Sequence, residues 1–162
     1  MAPMNLADVA LRLARHADAP TLAAMSRDLI ETGLGWNYTP ERVARLLGDP
    51  ETVTLVASAT EQPAGFAIMT LGDERAHLVL LAVHAQHQRR GIGRRMTEWL
   101  VRTAATAGMA AIDLELRASN AAAHALYRAT GFVETRRLPG YYRARETAIR
   151  MTRTLRGPEL PA

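Results

Sequence analysis

A nearly unbroken apolar run that ends at a glycine-containing loop is the feature that most restricts how this chain folds. The run, His77–Val83 (HLVLLAV), predicts a central strand that is buried on both faces. A short loop follows, and Gly91 and Gly93 then stand at the predicted start of a long helix. The first N–H groups of a helix point outward, with the positive end of the helix dipole behind them. The sequence therefore predicts an anion site where this strand leads into this helix.

Arginine side chains add positive charge to this predicted anion site. All 20 basic residues of the chain are arginine, and the formal net charge is +4. Four of them fall within a segment of seven residues: Arg89, Arg90, Arg94 and Arg95. The planar guanidinium fork suits phosphates and carboxylates, so the cluster predicts a compact phosphorylated ligand. Only 5% of the residues are aromatic, and a surface that stacks nucleic-acid bases would need more.

Two familiar nucleotide-binding loops do not match these residues. A dinucleotide-binding fingerprint needs a third glycine where Met96 stands, and a Walker loop needs a lysine, which the chain lacks. The residues alone also leave a structural alternative, a tight strand-to-helix turn whose arginines are simply solvated.

The remaining patterns predict an α/β chain with a single domain over residues 1–156 and a frayed tail over residues 157–162. Thr39 and Asn120 are predicted helix caps, and Gly131 is predicted to end the last helix. The predicted order is β-α-α-β-β-β-α-β-α-β-β, one mixed and twisted sheet of about seven strands flanked by about four helices. The predicted strands are residues 9–15, 52–59, 64–71, 77–83, 110–117, 132–138 and 147–154.

The composition predicts an ordinary globular protein of the cytoplasm, with 48% hydrophobic and 22% charged residues. No stretch approaches the roughly 18 apolar residues that a membrane span needs, and charged residues interrupt the N-terminus before a signal peptide could form. The lack of cysteine excludes disulfides, thiolate metal sites and cysteine nucleophiles. Three histidines, His77, His84 and His87, have no partners at a persuasive metal-ligand spacing. We therefore expect no metal, no membrane and no nucleic acid as partners, and a homodimer is left open.

The loop residues resemble the signature of a known enzyme family. Gln88-Arg89-Arg90-Gly91-Ile92-Gly93 is similar to the Gln/Arg-x-x-Gly-x-Gly/Ala motif of the GNAT N-acetyltransferases, and the predicted order of elements is also that family's order. The resemblance covers almost the whole chain, with its motifs within residues 77–142. It implies the GNAT fold and an enzyme that uses acetyl-CoA, whose loop wraps the pyrophosphate of coenzyme A. By that likeness the backbone of Leu81, Ala82 and Val83 pairs with the pantetheine arm, and the phosphates are held by Arg89, Arg90, Gly91, Ile92, Gly93 and Arg94.

A second block, residues 114–127 (LELRASNAAAHALY), closely resembles the bacterial ribosomal-protein-alanine N-acetyltransferases, a branch of the same family. The resemblance implies that Glu115 is the general base, that Tyr127 is the general acid for the departing thiolate, and that Asn120 contacts the cofactor. The chemistry needs both roles, because the attacking amine must lose a proton and the thiolate must gain one. An unpaired carboxylate in a covered strand would be costly, which also favours a functional Glu115.

Each of these side chains also has a structural alternative. Either Glu115 or Asp113 could pair with Arg117 on a half-exposed strand. Tyr127 could fill space between helix and sheet. His124 lies on a different side of the predicted helix and is interpreted as a surface or packing residue.

Two aromatic segments are predicted to line the acceptor side. Trp36 and Tyr38 lie between the first two predicted helices, where this fold usually places a substrate wall. Tyr141 and Tyr142 lie between the last two predicted strands and resemble tyrosines with which N-terminal acetyltransferases bind the substrate backbone. For each segment the alternative is aromatic packing over a loop.

Three hypotheses for the function follow. The first is acetyl transfer to the N-terminal amine of a protein or peptide. The second is the same chemistry on a small amine, such as a polyamine, an amino acid or an aminoglycoside, which an acidic pocket formed by Glu31, Asp73 or Glu74 would favour. The third is a non-catalytic module that binds acetyl-CoA and reports it to a partner.

Overall fold

The computed structural model describes residues 8–59 and 62–156, and over these residues the chain forms seven strands and four α-helices. None of the helices within these ranges is long and apolar enough to cross a bilayer. The predicted tail and part of the predicted turn before β3 lie outside the described residues. The elements in chain order are β1 (Ala10–Leu13), α1 (Ala19–Leu29), α2 (Pro40–Leu47), β2 (Thr52–Ser58), β3 (Pro63–Leu71), β4 (Arg75–Val83), α3 (Ile92–Thr106), β5 (Ala111–Arg117), α4 (Ala121–Ala129), β6 (Val133–Tyr142) and β7 (Glu146–Thr154).

The strands form one mixed sheet in the order β1-β2-β3-β4-β5-β7-β6. Strands β4 and β5 run parallel, whereas β1 with β2, β5 with β7 and β6 with β7 are antiparallel pairs. Parallel neighbours need a crossover connection, and α3 supplies it between β4 and β5. The predicted mixed α/β sheet of about seven strands is confirmed.

The described residues divide into two compact units. The first lies within Met1–Met69 and Leu80–Met96, and the second within Thr70–Val79 and Thr97–Ala162. The single domain expected from the sequence stays a prediction.

In the first unit, α1 and the strands β2 and β3 supply many of the buried side chains. Helix α1 buries Leu22 and Met25, which the helical spacing predicts, while Leu55 and Phe66 on the strands are fully buried. The start of α2 follows its sequence signals, because the Thr39 hydroxyl accepts a hydrogen bond from the backbone N–H of Arg42 and Pro40 opens the helix.

In the second unit, β5 separates an apolar face from a polar one. Its even-numbered residues Ile112, Leu114 and Leu116 are buried, whereas the side chains between them are partly exposed. Asn120 caps α4, with its Oδ1 accepting from the backbone N–H of Ala123, and Gly131 follows the helix at a φ of 92°. Local signals therefore set both ends of α4.

The burial of β4 differs from the prediction. We expected a strand buried on both faces, but burial alternates along it. Ala76, Leu78, Leu80 and Ala82 are buried, whereas His77, Val79, Leu81 and Val83 are only half-buried. An apolar run alone does not distinguish one covered face from two. The correction matters because it leaves His77 on a partly open face.

The strand β6 is also longer than predicted. Tyr141 and Tyr142 are its last residues and do not lie in the connection to β7. The turn itself contains Arg143 and Ala144, both with left-handed φ angles of 49° and 56°. Register shifts within β6 displace its pairing with β7, and alternation in the sequence gives no sign of such irregularities.

Candidate active site

The loop between β4 and α3 has the backbone conformation on which the predicted anion site depends. A single 3-10 turn at Ala85–His87 follows β4, and α3 begins at Ile92. Between them, Arg89 and Gly91 have φ angles of 63° and 79°. Left-handed residues in such a turn direct backbone N–H groups into a concave anion-binding arrangement. Because an arginine rarely adopts a left-handed φ, the loop holds Arg89 against a local preference.

Hydrogen bonds fix this loop to the end of β4 and to β3. The Gln88 side chain donates to the carbonyl oxygen of Val83 on β4 at 3.0 Å, and the backbone N–H of His84 donates to the carbonyl oxygen of Ala64 on β3 at 2.7 Å. The carbonyl of Val83, which we expected to face the pantetheine arm, thus already accepts one hydrogen bond.

The four clustered arginines are not equivalent. The Arg95 guanidinium donates to the carbonyl oxygen of Val9 and is a structural tie to the residue before β1. The side chains of Arg89, Arg90 and Arg94 are exposed. The cationic group near the loop therefore consists of three arginines.

A glycine on β3 marks the segment of β4 that is predicted to contact the cofactor. A Cβ on Gly65 would lie 2.8 Å from the carbonyl oxygen of Ala82 and 3.1 Å from the Cε of Met96. The close approach to Ala82 explains why glycine stands inside this strand. We did not single out Gly65 from the sequence, although a glycine within a strand pattern is a signal of such an approach.

In the second unit, the Glu115 carboxylate is held by partners on both neighbouring strands. Its Oε2 lies 2.5 Å from Nε2 of His77 on β4, and its Oε1 accepts from Nε of Arg150 on β7 at 2.9 Å. The hydrogen bond from His77 lowers the pKa of Glu115 below its ordinary value, burial opposes that shift, and Arg150 adds to it. Glu115 is thus ionised and paired, so the predicted cost of an unpaired carboxylate does not apply.

Asp113, two residues earlier on the same face of β5, forms a similar group. It accepts from Nε and an Nη of Arg75 at 2.6 and 2.7 Å, and from the Thr152 hydroxyl at 2.6 Å. The hydrogen bond from Arg75 lowers the pKa of Asp113. On the same strand, Arg117 donates to Glu146 at 2.7 Å. The polar face of β5 therefore carries a series of ion pairs.

The groups around Asp113 and Glu115 line an open cleft of about 600 Å³, which we call the β5 cleft. Within the described residues, no group of three His, Cys, Asp or Glu side chains is arranged to hold a metal ion. The residues that line the β5 cleft are Arg75, Ala76, His77, Asp113, Glu115, Thr135, Arg136, Arg150 and Thr152.

Tyr127 lies on α4 and is buried, with 6% of its surface exposed. Its ring packs edge-to-face on Phe132, with 5.6 Å between the ring centroids. Burial, with a smaller effect of Tyr142, raises the pKa of the Tyr127 phenol, which therefore keeps its proton at neutral pH. The structural alternative and the predicted acid role are compatible, because the ring packs while the hydroxyl remains a proton donor. His124 lies 3.4 Å from Glu134 and is a half-buried surface residue, as interpreted from the sequence.

The two tyrosines that end β6 contact each other edge-to-face at 4.9 Å between ring centroids. Tyr141 is 50% exposed, and Tyr142 is half-buried. Burial raises the pKa of Tyr142 to about 12, and the nearby Tyr141 and Glu115 add to the shift. The Tyr142 phenol is therefore electrostatically coupled to the carboxylate that we predicted to be the base.

The aromatic segment between α1 and α2 is fixed by a buried carboxylate. Glu31 accepts from the Ser26 hydroxyl at 2.9 Å and from the backbone N–H groups of Asn37 at 2.7 Å and Tyr38 at 3.3 Å. The Trp36 indole donates to the carbonyl oxygen of Ala23 at 3.2 Å. Glu31 is therefore a buried loop anchor, so this carboxylate gives no support to the acidic pocket that would favour a small amine.

The sequence model of the acetyltransferase (GNAT) family matches residues 22–132, and the chain belongs to this family. Over 90 residues it is 41% identical to the [ribosomal protein bS18]-alanine N-acetyltransferase of Salmonella typhimurium strain LT2, a match that covers 56% of this chain and 61% of that protein. The chain thus spans about 61% of the length of this curated relative. The resemblance drawn from the two sequence motifs is confirmed.

Solved structures agree with this assignment. The ribosomal-protein-S18-alanine N-acetyltransferase of Escherichia coli superposes with a TM-score of 0.81 at 28% identity, over 95% of this chain and 99% of that chain. The yncA protein of Salmonella typhimurium, solved with its cofactor acetyl-CoA, gives a TM-score of 0.77 at 22% identity over 96% and 98% of the two chains. The second likeness is one of fold.

Proposed function

We propose that the protein is an acetyl-CoA-dependent N-acetyltransferase that acts in the cytoplasm on the N-terminal amine of a protein or peptide. The observation that carries this proposal is the ionised Glu115, paired with His77 on an open cleft. Membership of the acetyltransferase family supports the reaction class. Two relatives are named as N-acetyltransferases of the alanine of a ribosomal protein. Those names support a protein N-terminus as the acceptor and the cytoplasm as the location.

Acetyl-CoA, when bound, supplies the acetyl group as an activated thioester. We assign its phosphates to the loop residues Arg89, Arg90, Gly91, Ile92, Gly93 and Arg94, its pantetheine arm to the backbone of Leu81, Ala82 and Val83, and a further contact to Asn120. Two observations support a fit: the left-handed backbone at Arg89 and Gly91, and the exposed arginine side chains around it. Anionic phosphate oxygens are suitable ligands for both.

The amine must lose a proton as it attacks, and we propose that Glu115 and His77 accept it as a pair. A carboxylate with a lowered pKa is a weak base by itself. An imidazole can donate from one ring nitrogen and accept at the other. If Nε2 of His77 donates to Glu115, then Nδ1 is the proton acceptor, and Glu115 orients the ring. The sequence pattern indicated only the carboxylate of this pair.

The departing thiolate needs a proton, and we assign its donor as Tyr127. The amine proton passes to the His77–Glu115 pair, and the phenol proton passes to sulfur. The products are the N-acetylated amine and free coenzyme A. Proton exchange with solvent then restores both groups.

We assign the acceptor side to Trp36, Tyr38, Tyr141 and Tyr142. For Tyr142 the electrostatic coupling of its phenol to Glu115 supports this assignment. The phenol remains protonated at neutral pH and can donate a hydrogen bond to a peptide carbonyl.

Release of coenzyme A from acetyl-CoA, measured against a panel of amines, tests the proposal. The panel contains short peptides with free N-termini, the same peptides with blocked N-termini and a lysine, polyamines, and aminoglycosides. We expect turnover with free N-termini and a large loss in Glu115→Gln and His77→Ala. Turnover with small amines alone would replace the proposed acceptor by the second hypothesis. Tight binding of acetyl-CoA in calorimetry without turnover on any acceptor would favour the non-catalytic module.

A further inference from the structure

The β5 cleft contains more cationic than anionic side chains. Three guanidinium groups and two carboxylates line it, which leaves an excess of one positive charge even when His77 is neutral. Both carboxylates are engaged: Asp113 by Arg75, and Glu115 by His77 and Arg150. Within the described residues, the third guanidinium, that of Arg136, pairs with neither carboxylate of the cleft.

The register of β6 places Arg136 where its charge is least compensated. Arg136 lies directly opposite Arg150 in the antiparallel pair of β6 and β7. Like charges at directly opposite positions destabilise a sheet. The side chain of Arg150 is partly neutralised by Glu115, whereas Arg136 is exposed. An anion bound next to Arg136 would relieve this repulsion.

An irregularity in β6 turns two successive side chains toward the cleft. Glu134 pairs with Met151, and Arg136 pairs with Arg150. The pairing therefore advances by two residues along β6 while it advances by one residue along β7, which leaves Thr135 as an extra residue. Both Thr135 and Arg136 line the cleft as a result. Bulges of this kind redirect side chains beside active sites.

The next arginine on β6 has a different environment. Arg137 donates to Glu134 on its own strand at 2.6 Å and does not line the β5 cleft. On β6, Arg137 therefore has a carboxylate partner, whereas Arg136 lines the cleft and pairs with neither of its carboxylates. The two residues provide a matched pair for experiments.

We propose that Arg136 binds a carboxylate of the acceptor, so that the preferred substrate is a peptide with an acidic residue close to its free N-terminus. This inference rests on the proposed function, because the amine must reach the His77–Glu115 pair, which lines the same cleft. The rest of the acceptor then lies among the arginines. A guanidinium and a carboxylate form paired, charge-assisted hydrogen bonds. A basic residue at that position would meet an excess of positive charge and be disfavoured.

Peptides that differ at one residue test the preference. Three peptides carry Glu, Gln or Arg as the second residue and are otherwise identical, and kcat/KM is measured by release of coenzyme A. For the unaltered enzyme we expect the Glu peptide to exceed the Gln peptide by about tenfold, the equivalent of one charged contact of about 1.4 kcal/mol. The Arg peptide is expected to be the poorest.

The variants locate the preference. Arg136→Gln should reduce the ratio between the Glu and Gln peptides to about one, and Arg136→Glu should favour the Arg peptide. Arg137→Gln should keep the ratio of the unaltered enzyme. The preference should also weaken at high salt, because the contact is between exposed charges.

Equal kcat/KM for the Glu and Gln peptides, or a preference that survives in Arg136→Gln, would overturn this inference and leave the proposed function intact. Absence of turnover with every peptide would instead contradict the proposed function. In that case calorimetry still decides the inference: tighter binding of the Glu peptide that depends on Arg136 supports it, and equal binding of the Glu and Gln peptides rejects it.

Discussion

The Glu115 carboxylate has a hydrogen-bond partner at each oxygen, and this fixes its charge before any substrate arrives. The partners come from β4 and β7, so the side chain also links the two strands that flank β5. A group of this kind has two effects. It orients the His77 imidazole, and it makes the stability of the protein depend on pH.

Replacement of Glu115 should change how stability responds to acid. Its pKa in the folded protein lies below the ordinary value of 4.5, so its contribution is fully present above that value and is lost as the pH falls through the lower one. Between pH 7 and pH 3, thermal unfolding should therefore show a smaller fall in Tm for Glu115→Gln than for the unaltered protein. Asp113 titrates in both proteins and cancels from the comparison. Equal falls would mean that the pairing with His77 contributes nothing to stability.

Removal of the Tyr127 hydroxyl should separate the contribution of the ring to packing from the contribution of the hydroxyl to catalysis. Tyr127→Phe keeps the ring that packs on Phe132, so Tm should change little. Turnover should fall by about 10²–10⁴-fold, the usual contribution of a general acid, while affinity for acetyl-CoA is retained. Phe132→Leu serves as the opposite control, with a lower Tm and near-normal turnover of the folded enzyme. Unchanged turnover in Tyr127→Phe would remove this phenol from the mechanism.

Strand β3 approaches β4 closely at Gly65, and an added methyl group at that position should destabilise the protein. In Gly65→Ala the new Cβ would lie 2.8 Å from the backbone oxygen of Ala82, so the backbone must move. We expect a loss of about 1–3 kcal/mol in the free energy of unfolding and weaker binding of coenzyme A. Gly48→Ala is the control, because its Cβ would lie at an ordinary 3.7 Å from the carbonyl oxygens of Ala44 and Arg45. Denaturant titration and calorimetry on both variants give the comparison.

Glycine at position 91, in the loop before α3, should serve two purposes. It permits a left-handed backbone, and it leaves room for the bound ligand. Gly91 and Gly108 have left-handed φ angles of 79° and 83°, so alanine should strain each backbone by a similar amount, about 1 kcal/mol. Only Gly91→Ala should also weaken binding of coenzyme A in calorimetry. Equal affinities in the two variants would contradict the assignment of the loop to the phosphates.

Across the whole chain, the sequence predicted local structure better than it predicted partners. Within the described residues, apolar runs, alternation and helical spacing indicated the strands and helices, although β6 is longer than predicted. Thr39 and Asn120 mark their helix starts by side-chain chemistry that acts over a few residues. The hydrogen bond between His77 and Glu115 was missed because it depends on the parallel pairing of β4 with β5, between residues 38 positions apart in sequence. Family resemblance indicated Glu115 and Tyr127, but no local pattern shows which strands become neighbours.

The exclusive use of arginine has a consequence for the enzyme's own surface. Guanidinium groups make the contacts that join β5 to its neighbours through Arg75 and Arg150, and the contact of Arg95 on α3 with Val9. Guanidinium stays protonated and is therefore a poor nucleophile toward a thioester, whereas a lysine amine is the kind of group that the proposed reaction consumes. A sequence without lysine contains no side-chain amine that acetyl-CoA could acetylate. The cationic side chains of its ion pairs are therefore not substrates of the proposed reaction.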